Sequence, residues 1–465
     1  MKLLLINNSF RWKLLVATLF FGVLYGCQKA DQMAELAEKA EKRTAKPSPE
    51  SADFVYEWYR LMAGIQLANP AAAPPTNFRN FAYIGVGLFE SVQPGIKGGS
   101  SLSSKLYEMP AMPKPDMSED YLWSASANAA LSRLFKLFLT GTTGLTAANI
   151  ATVNAREAAN YNQFKSMASE EVLQRSRDFG YAVAQAIYDW SLTDGFTASS
   201  VGYTLPAPFP GAWEPTSFTP QGDPVIAFAF LGESRPFLKY TLNALAPPIP
   251  IPYSEDPSSA FYQAAKEVYD IGNSQNPAQI ATARYWADVG GVGLGYPGPH
   301  HLLSIVTEVL ESHDAGLWKA AEVYAKTGIA LKDGPIIVFR SKYYYNLIRP
   351  ITYINDHIDP EGDWASLLAN PAYPEYTSGL MSVYGPVIEV LINEFGDVPV
   401  TDDVYTWRGL AAREYSTLSA LRQEASISRL YGGLHYMFTQ DVSVDVGIDL
   451  GDAIDKVTIV GPEYQ

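Results

Sequence analysis

Residues 342–350 read KYYYNLIRP, and this stretch is the first of three short segments that decide the fold and its site. A step of seven residues along a helix returns to nearly the same face, about 20° out of register. The spacing therefore predicts Lys342 and Arg349 on one face of a helix, with Arg349 in the last turn because Pro350 ends it. Two such cations suit an anion or an acidic partner, although a solvated basic edge would show the same pattern.

Residues 376–380, YTSGL, form the second segment and begin a further helical pattern. Ser378 would offer a hydroxyl group there, and Gly379 an exposed backbone N–H group. Anions bind readily at a helix N-terminus, because the unpaired N–H groups and the helix dipole both favour negative charge. Taken alone, the segment is equally consistent with an ordinary helix start.

Residues 428–435, SRLYGGLH, form the third segment. Gly432 and Gly433 carry no side chain, so another backbone or a bound group can approach closely just before His435. Arg429 adds a further cation. A single histidine on an apolar helix is more often a core residue than a ligand, so this segment is also weak by itself.

The three segments together, in this order, resemble the tripartite signature of one superfamily. It unites vanadium-dependent haloperoxidases with bacterial class A acid phosphatases and type-2 phosphatidic acid phosphatases. The resemblance extends over residues 52–465, with further similar stretches at 77–92, 213–237 and 285–288, and it places the active-site motifs within 333–441. The small membrane phosphatases lack these extensions, so the likeness is to the haloperoxidase branch.

This resemblance implies a role for each motif residue. His435 would be the axial ligand of vanadium in a haloperoxidase, or the nucleophile in a phosphatase. The groups that would bind the oxygens of vanadate or phosphate are Lys342, Arg349, Ser378, Gly379 and Arg429. A haloperoxidase uses hydrogen peroxide to oxidise a halide, here iodide or bromide, or an organic acceptor. Related haloperoxidases are often oligomeric, which implies a homo-oligomer.

Leu380 departs from the family pattern, which has histidine after Ser-Gly. In relatives that histidine is an acid–base group, and such groups typically contribute about 10²–10⁴-fold. Its loss would harm phosphomonoester hydrolysis more than oxidation, so we expect a preference for iodide or an organic sulfide. Thr439 is a second departure, since relatives often have aspartate there. His300 and His301 could supply a replacement acid, although the simpler interpretation is that they cap a helix at the surface.

Three functions remain open at this point. The first is a vanadate-dependent peroxidase of weak or altered activity, and the second is an acid phosphatase that acts through phospho-His435. The third is a non-catalytic lipoprotein that binds an oxyanion. Phosphatases also bind vanadate, so turnover assays separate these functions better than vanadium binding does.

The apolar residues after position 52 recur mainly with helical spacing, which predicts an all-α fold of helical bundles. The stretch 203–256 differs, because eleven prolines fall between Pro206 and Pro252. It cannot hold a long helix, and it is either a binding lid or a loop packed across the helices. The predicted helices after residue 118 are 119–137, 146–162, 170–193, 258–274, 278–288, 301–310, 315–332, 334–348, 376–394 and 404–437.

The N-terminus predicts export and lipid anchoring. Residues 1–27 combine basic residues with a short apolar run and end in LYGC, which resembles a bacterial lipobox with Cys27 as the acylated residue. Residues 28–51 form a polar tether, and 52–465 form the haloperoxidase-like helical domain. The predicted protein is therefore an exported bacterial lipoprotein, periplasmic or at the cell surface. An uncleaved apolar anchor with a chance cysteine is the alternative.

The composition restricts the partners. Hydrophobic residues make up 47% of the 465 residues and charged residues 18%, which argues against disorder. The formal net charge of −15 at pH 7 argues against non-specific nucleic-acid binding. Cys27 is the single cysteine, so the chain has no internal disulfide.

Overall fold

A computed structural model describes residues 51–68, 74–140, 145–274, 276–288, 294–296 and 298–457. The helices in these ranges are α1 (Asp53–Ala68), α2 (Pro74–Val92), α3 (Trp123–Leu139), α4 (Ala147–Phe164), α5 (Glu170–Ser191), α6 (Ala260–Ser274), α7 (Pro277–Tyr285), α8 (His300–Ser312), α9 (Leu317–Tyr345), α10 (Pro350–His357), α11 (Met381–Phe395), α12 (Leu418–Tyr431) and α13 (Met437–Asp455). Two short strands, β1 (Val400–Asp402) and β2 (Arg413–Tyr415), pair antiparallel. The predicted all-α fold is confirmed.

The long helix α9 lies at the centre of the packing. It contacts α2 on one side and α11 on another, while α3 packs against α5 and α11 against α13. Small residues permit the closest crossings: a Cβ on Gly85 of α2 would lie 2.2 Å from the Tyr324 carbonyl oxygen of α9. A Cβ on Gly447 of α13 would lie 2.6 Å from the Cα of Gly385 in α11. The glycines at these crossings therefore let the helix backbones approach each other closely.

One predicted helix boundary was wrong because the burial of a long helix outweighs the helix-breaking effect of a proline inside it. The ranges 315–332 and 334–348 were predicted as two helices, but α9 runs continuously through Pro335. A proline in a helix interior costs about 3 kcal/mol. Every residue from 320 to 339 is buried, so continuous packing against neighbours on all sides offsets that cost.

The predicted helix 404–437 was also wrong. Its first part belongs to the β1–β2 hairpin, whose connection includes Gly409 with a φ of 78°. Helix α12 then starts after Thr417, whose side chain accepts a hydrogen bond from the backbone N–H of Ala420. A helical periodicity is present here, but the strand pairing and the cap limit the helix to fourteen residues.

The proline-rich stretch 203–256 has no long helix, as predicted, and it crosses α9. The buried carboxylate of Asp333 accepts hydrogen bonds from the backbone N–H groups of Phe237 at 2.7 Å and Leu238 at 2.8 Å, and from the Thr241 hydroxyl at 2.7 Å. Burial raises the pKa of Asp333 to about 6, against the lowering effect of these hydrogen bonds. The stretch is thus a loop fastened across the helices.

Within the described ranges, no helix is both long enough and apolar enough to cross a bilayer. The predicted signal segment, 1–27, lies outside those ranges, as does nearly all of the predicted tether 28–51. Export and acylation at Cys27 therefore stay predictions from the sequence.

Candidate active site

The first segment, residues 342–350, does not lie on a single helix, so the prediction that Lys342 and Arg349 share one helix face was wrong. Helix α9 ends at Tyr345, and Asn346 follows in the left-handed conformation with a φ of 47°. Arg349 is the N-cap of α10, and Pro350 is the first residue of that helix. Asparagine tolerates the left-handed region, and proline is favoured at a first helical position. A turn, not a helical face, thus brings Lys342 and Arg349 together.

Lys342 is fully buried and bonds to backbone carbonyls in and just before the second segment. Its Nζ donates to the carbonyl oxygens of Pro374 at 3.0 Å and Glu375 at 2.9 Å, and also to that of Thr377. Burial and the Arg349 charge lower the pKa of Lys342 well below its usual range. Three carbonyl acceptors nevertheless require three N–H donors, so the group is an ammonium with every donor in use.

Arg349 fastens the same backbone from another direction. Its Nε donates to the Tyr373 carbonyl at 2.8 Å, one Nη to the Leu434 carbonyl at 3.0 Å, and the other Nη to the Pro374 carbonyl at 3.3 Å. A guanidinium has five N–H groups, so two of them stay available to a bound anion. Arg349 therefore both joins the backbone just before the second segment to the third segment and keeps spare donors.

The second segment leads into α11, which begins at Met381 and not at residue 376 as predicted, and it carries polar atoms that lack partners among the described residues. The Ser378 backbone N–H donates to Ser443 Oγ at 2.9 Å. In the part of the chain that the structure describes, the buried hydroxyl groups of Thr377 and Ser378 have no hydrogen-bond partner. Leaving a buried polar group unpaired costs about 1–3 kcal/mol, so two adjacent ones favour a site that a polar ligand completes.

His435 lies in the turn between α12 and α13. Helix α12 ends at Tyr431, and Gly433 takes a φ of 74° that L-residues rarely adopt. The His435 Nδ1 lies 2.9 Å from Glu375 Oε1, and no partner of Nε2 occurs in the described part of the chain. Burial and the charges of Arg349, Lys342 and Arg429 keep the pKa of His435 well below its usual range, so the ring is neutral.

Glu375 is the histidine's partner that the sequence did not reveal. Its Oε1 also accepts from the Tyr436 backbone N–H at 3.2 Å, and its Oε2 accepts from the Thr439 hydroxyl at 2.8 Å. Burial raises the pKa of Glu375 to about 7, although Lys342 and other donors lower it. Thr439, where relatives often have an aspartate, therefore contacts a carboxylate that comes from the residue just before the second segment. The signal in the sequence that could have revealed this partner was a glutamate three residues before Ser378.

Arg429 and Leu380 line one cavity of about 180 Å³, together with Gly379. The Arg429 Nη1 donates to the Trp286 carbonyl at 3.2 Å, while its buried Nε has no partner within the described ranges. Much of the remaining wall is apolar and consists of Phe78, Phe228, Leu302, Phe339 and Val383. The cavity thus has a cationic end at Arg429 and an apolar wall that includes Leu380.

The comparisons agree with this architecture. The family model described as the VCPO second helical-bundle domain matches residues 322–459. A crystal structure of the first bacterial vanadium-dependent iodoperoxidase superimposes with a TM-score of 0.76 at 28% identity, over 90% of this chain and 99% of that chain. The chain is thus similar to vanadium haloperoxidases in its fold and in this second helical-bundle domain. It also superimposes on apo and holo structures of a bacterial vanadium-dependent chloroperoxidase.

The apo chloroperoxidase gives a TM-score of 0.62 at 15% identity over 86% of this chain and 97% of that one. The holo structure gives 0.61 at 16% identity over 84% and 93%. At these identities the likeness concerns the fold. None of the curated proteins matches the chain.

The residues of this haloperoxidase-like protein fit an oxyanion such as vanadate. In and beside the three segments, three buried polar atoms have no hydrogen-bond partner among the described residues, namely Thr377 Oγ1, Ser378 Oγ and Arg429 Nε. Hydroxyl groups and a guanidinium are donors that suit the oxygens of vanadate or phosphate. The neutral His435 offers a ring nitrogen, and Glu375 holds the opposite nitrogen of that ring. This donor set matches what the oxygens and the central atom of vanadate would require of their ligands.

His300 and His301 do not cap a helix at the surface, so that interpretation was wrong. They are the first two residues of α8, and both are buried. His300 Nε2 lies 2.5 Å from Gln66 Oε1, and burial lowers the pKa of His300 to about 3. His301 lies between Asp288 and Asp402, at 2.7 Å and 2.8 Å. The packing of α8 against α1 and β1 removes both rings from water.

Proposed function

We propose that this chain is a vanadate-dependent peroxidase that uses hydrogen peroxide to oxidise iodide. The observation that carries the proposal is the set of unpartnered buried atoms of Thr377, Ser378 and Arg429, on segments that also hold the neutral His435. Its similarity to a bacterial iodoperoxidase over nine-tenths of the chain supports the same reaction. Bromide, which is harder to oxidise, would react more slowly.

In this proposal, Ser378, the Gly379 N–H group, Arg429 and the spare N–H groups of Arg349 bind the vanadate oxygens. The free Nε2 of His435 is the ligand of vanadium. Bound vanadate supplies a Lewis acid that activates peroxide. Lys342 uses its donors on the 374–377 backbone, so its contribution is to hold Ser378 in place and to add positive charge.

Two other functions use the same pocket. An acid phosphatase acting through phospho-His435 would need an acid for the leaving alkoxide, and the apolar Leu380 cannot donate a proton. A non-catalytic oxyanion-binding protein is favoured by two observations: Leu380 stands in the cavity wall, and Lys342 has no donor left for a ligand. Phosphate would then occupy the pocket in place of vanadate.

The purified protein loaded with vanadate is expected to oxidise iodide with hydrogen peroxide, faster than bromide. Arg429→Ala should weaken vanadate binding about 10–100-fold, because it removes charge-assisted hydrogen bonds worth about 1.5–3 kcal/mol. Triiodide absorbance measures turnover, and calorimetry measures vanadate affinity. Arg156→Ala is the matched control, since Arg156 forms a surface ion pair with Glu57.

Vanadate binding without turnover of either halide would favour the oxyanion-binding protein. Hydrolysis of an aryl phosphate, abolished in His435→Ala, would favour the phosphatase. Equal rates with bromide and iodide would contradict the preference inferred from Leu380.

The N-terminal sequence supports a membrane-anchored, exported lipoprotein. Acylation of Cys27 would tie residues 28–51 to a bilayer and place the helical domain in the periplasm or at the cell surface. Metabolic labelling with a fatty acid is expected to mark the wild type but not Cys27→Ser, and Cys27→Ser should leave the membrane fraction. A labelled serine variant would contradict lipidation at this residue. Homo-oligomerisation stays a prediction.

A further inference from the structure

Asp288 lies on the wall of the same cavity as Leu380 and Arg429. Its backbone adopts a φ of 48°, in the left-handed region. The Asp288 side chain is 15% exposed, whereas those of its neighbours His301 and Asp402 are 1% exposed. Asp288 is thus the carboxylate of this cluster that a molecule in the cavity can reach.

His301 connects Asp288 to a second, fully buried carboxylate. Its Nδ1 lies 2.7 Å from Asp288 Oδ1, and its Nε2 lies 2.8 Å from Asp402 Oδ2. Two ionised carboxylates accept hydrogen bonds only, so both ring nitrogens carry protons. Burial by itself would lower the pKa of His301, but Asp402 and Asp288 raise it to about 10. The triad therefore has one imidazolium between two carboxylates and a net charge of −1.

The other groups that face Asp288 are donors or cations. Tyr384 on α11 donates to Asp288 Oδ2 at 2.8 Å, and Tyr405 after β1 donates to Oδ1 at 3.3 Å. Burial and the Asp288 charge raise the pKa of both tyrosines far above the usual range, so both remain protonated. Arg429 on α12 adds a positive charge that interacts with Asp288. All of these groups thus face the Asp288 carboxylate as hydrogen-bond donors or as a positive charge.

Asp402 and His301 have their own surroundings, which keep the triad in place. Tyr285 on α7 donates to the Asp402 carbonyl at 3.3 Å. The Trp286 ring stacks on His301 with centroids 4.9 Å apart, and the Trp286 carbonyl accepts from Arg429. The oxyanion end of the cavity and the triad are therefore parts of one rigid network.

We propose that Asp288, held by His301 and Asp402, is the proton acceptor of the cavity and substitutes for the histidine that Leu380 replaces. This inference rests on the proposed peroxidase function. Hydrogen peroxide gives a proton to an Asp288 oxygen: the peroxide O–H bond breaks, the carboxyl O–H bond forms, and the electron pair stays on the peroxide oxygen. The proton then returns to the oxygen that leaves as water, so hydrogen peroxide, iodide and a proton yield HOI and water. His301 and Asp402 are positioning residues.

The test uses the full chain loaded with vanadate. Asp288→Asn should lower kcat for iodide oxidation about 10²-fold without weakening vanadate binding. The pH profile of iodide oxidation should change as well, because an asparagine cannot accept a proton. Asp288→Glu should restore part of the rate. The exposed Asp403, one residue from Asp402, provides the control Asp403→Asn, which should change neither rate nor pH profile.

A second measurement does not depend on activity. Nitrogen NMR of histidine-labelled wild type should show the His301 imidazolium still protonated at pH 8, and deprotonation at lower pH in Asp288→Asn. A neutral His301 in the wild type at pH 7 would overturn the inference. An Asp288→Asn protein with the wild-type rate and pH profile would overturn it too, while the peroxidase function would stand. A folded, vanadate-loaded wild type that oxidises no iodide would overturn both.

Discussion

Leu380→His is expected to raise kcat for iodide oxidation about 10²-fold, at the lower end of what a general acid–base group contributes. The new imidazole would stand in the cavity wall next to Gly379 and in the same cavity as Arg429. We expect the lower end because Asp288 lies on the same wall and already offers a carboxylate. Hydrolysis of an aryl phosphate should also increase, since the imidazolium can protonate the leaving oxygen.

Leu380→Asn is the control for this gain, because asparagine adds a polar side chain without a titratable proton. Steady-state rates with iodide, bromide and an aryl phosphate, measured on all three proteins at several pH values, test the expectation. Equal rates of the histidine and asparagine variants would contradict acid–base catalysis as the cause. An unchanged rate in both assays would favour the oxyanion-binding protein.

Glu375→Ala should have the second large effect, a 10–100-fold loss of vanadate affinity and of turnover, which is typical when the outer partner of a ligating histidine is removed. The His435 Nδ1 would lose its acceptor at 2.9 Å, and the Tyr436 N–H group would lose the same oxygen. Glu375→Gln keeps an acceptor oxygen and should retain most of the affinity. Calorimetry with vanadate measures the difference between the two variants.

The raised pKa of Glu375 predicts how the free energy of unfolding depends on pH. Burial raises the pKa of Glu375 from 4.5 to about 7, so the fold favours the protonated carboxyl. The stability that this group contributes is fully present below pH 4.5 and is lost as the pH rises through about 7. Glu375→Gln is neutral at every pH and should lack this loss in urea unfolding. If the free energy of unfolding changed with pH in the same way in the wild type and the glutamine variant, Glu375 would not be the cause of the loss of stability.

Local patterns determined the fold class. Helical spacing predicted the positions of most helices, such as α4 and α5, because an amphipathic helix repeats its apolar residues every three to four positions. The proline-rich stretch 203–256 was predicted as irregular for an equally local reason, the missing N–H groups. Boundaries failed where non-local packing opposed the local signal, as at Pro335 and in the β1–β2 hairpin.

The sequence alone determined which residue types the site contains and in what order, because the three motifs are short and continuous: Lys342 to Pro350, Tyr376 to Leu380 and Ser428 to His435. Only the tertiary structure decided what those residues contact. It paired His435 with Glu375 across 60 residues and His301 with Asp402 across 101 residues. Such contacts form when helices and loops pack, and no spacing along the chain encodes them. The tertiary structure also places the Lys342 ammonium against backbone carbonyls, because a buried ammonium bonds to the nearest acceptors.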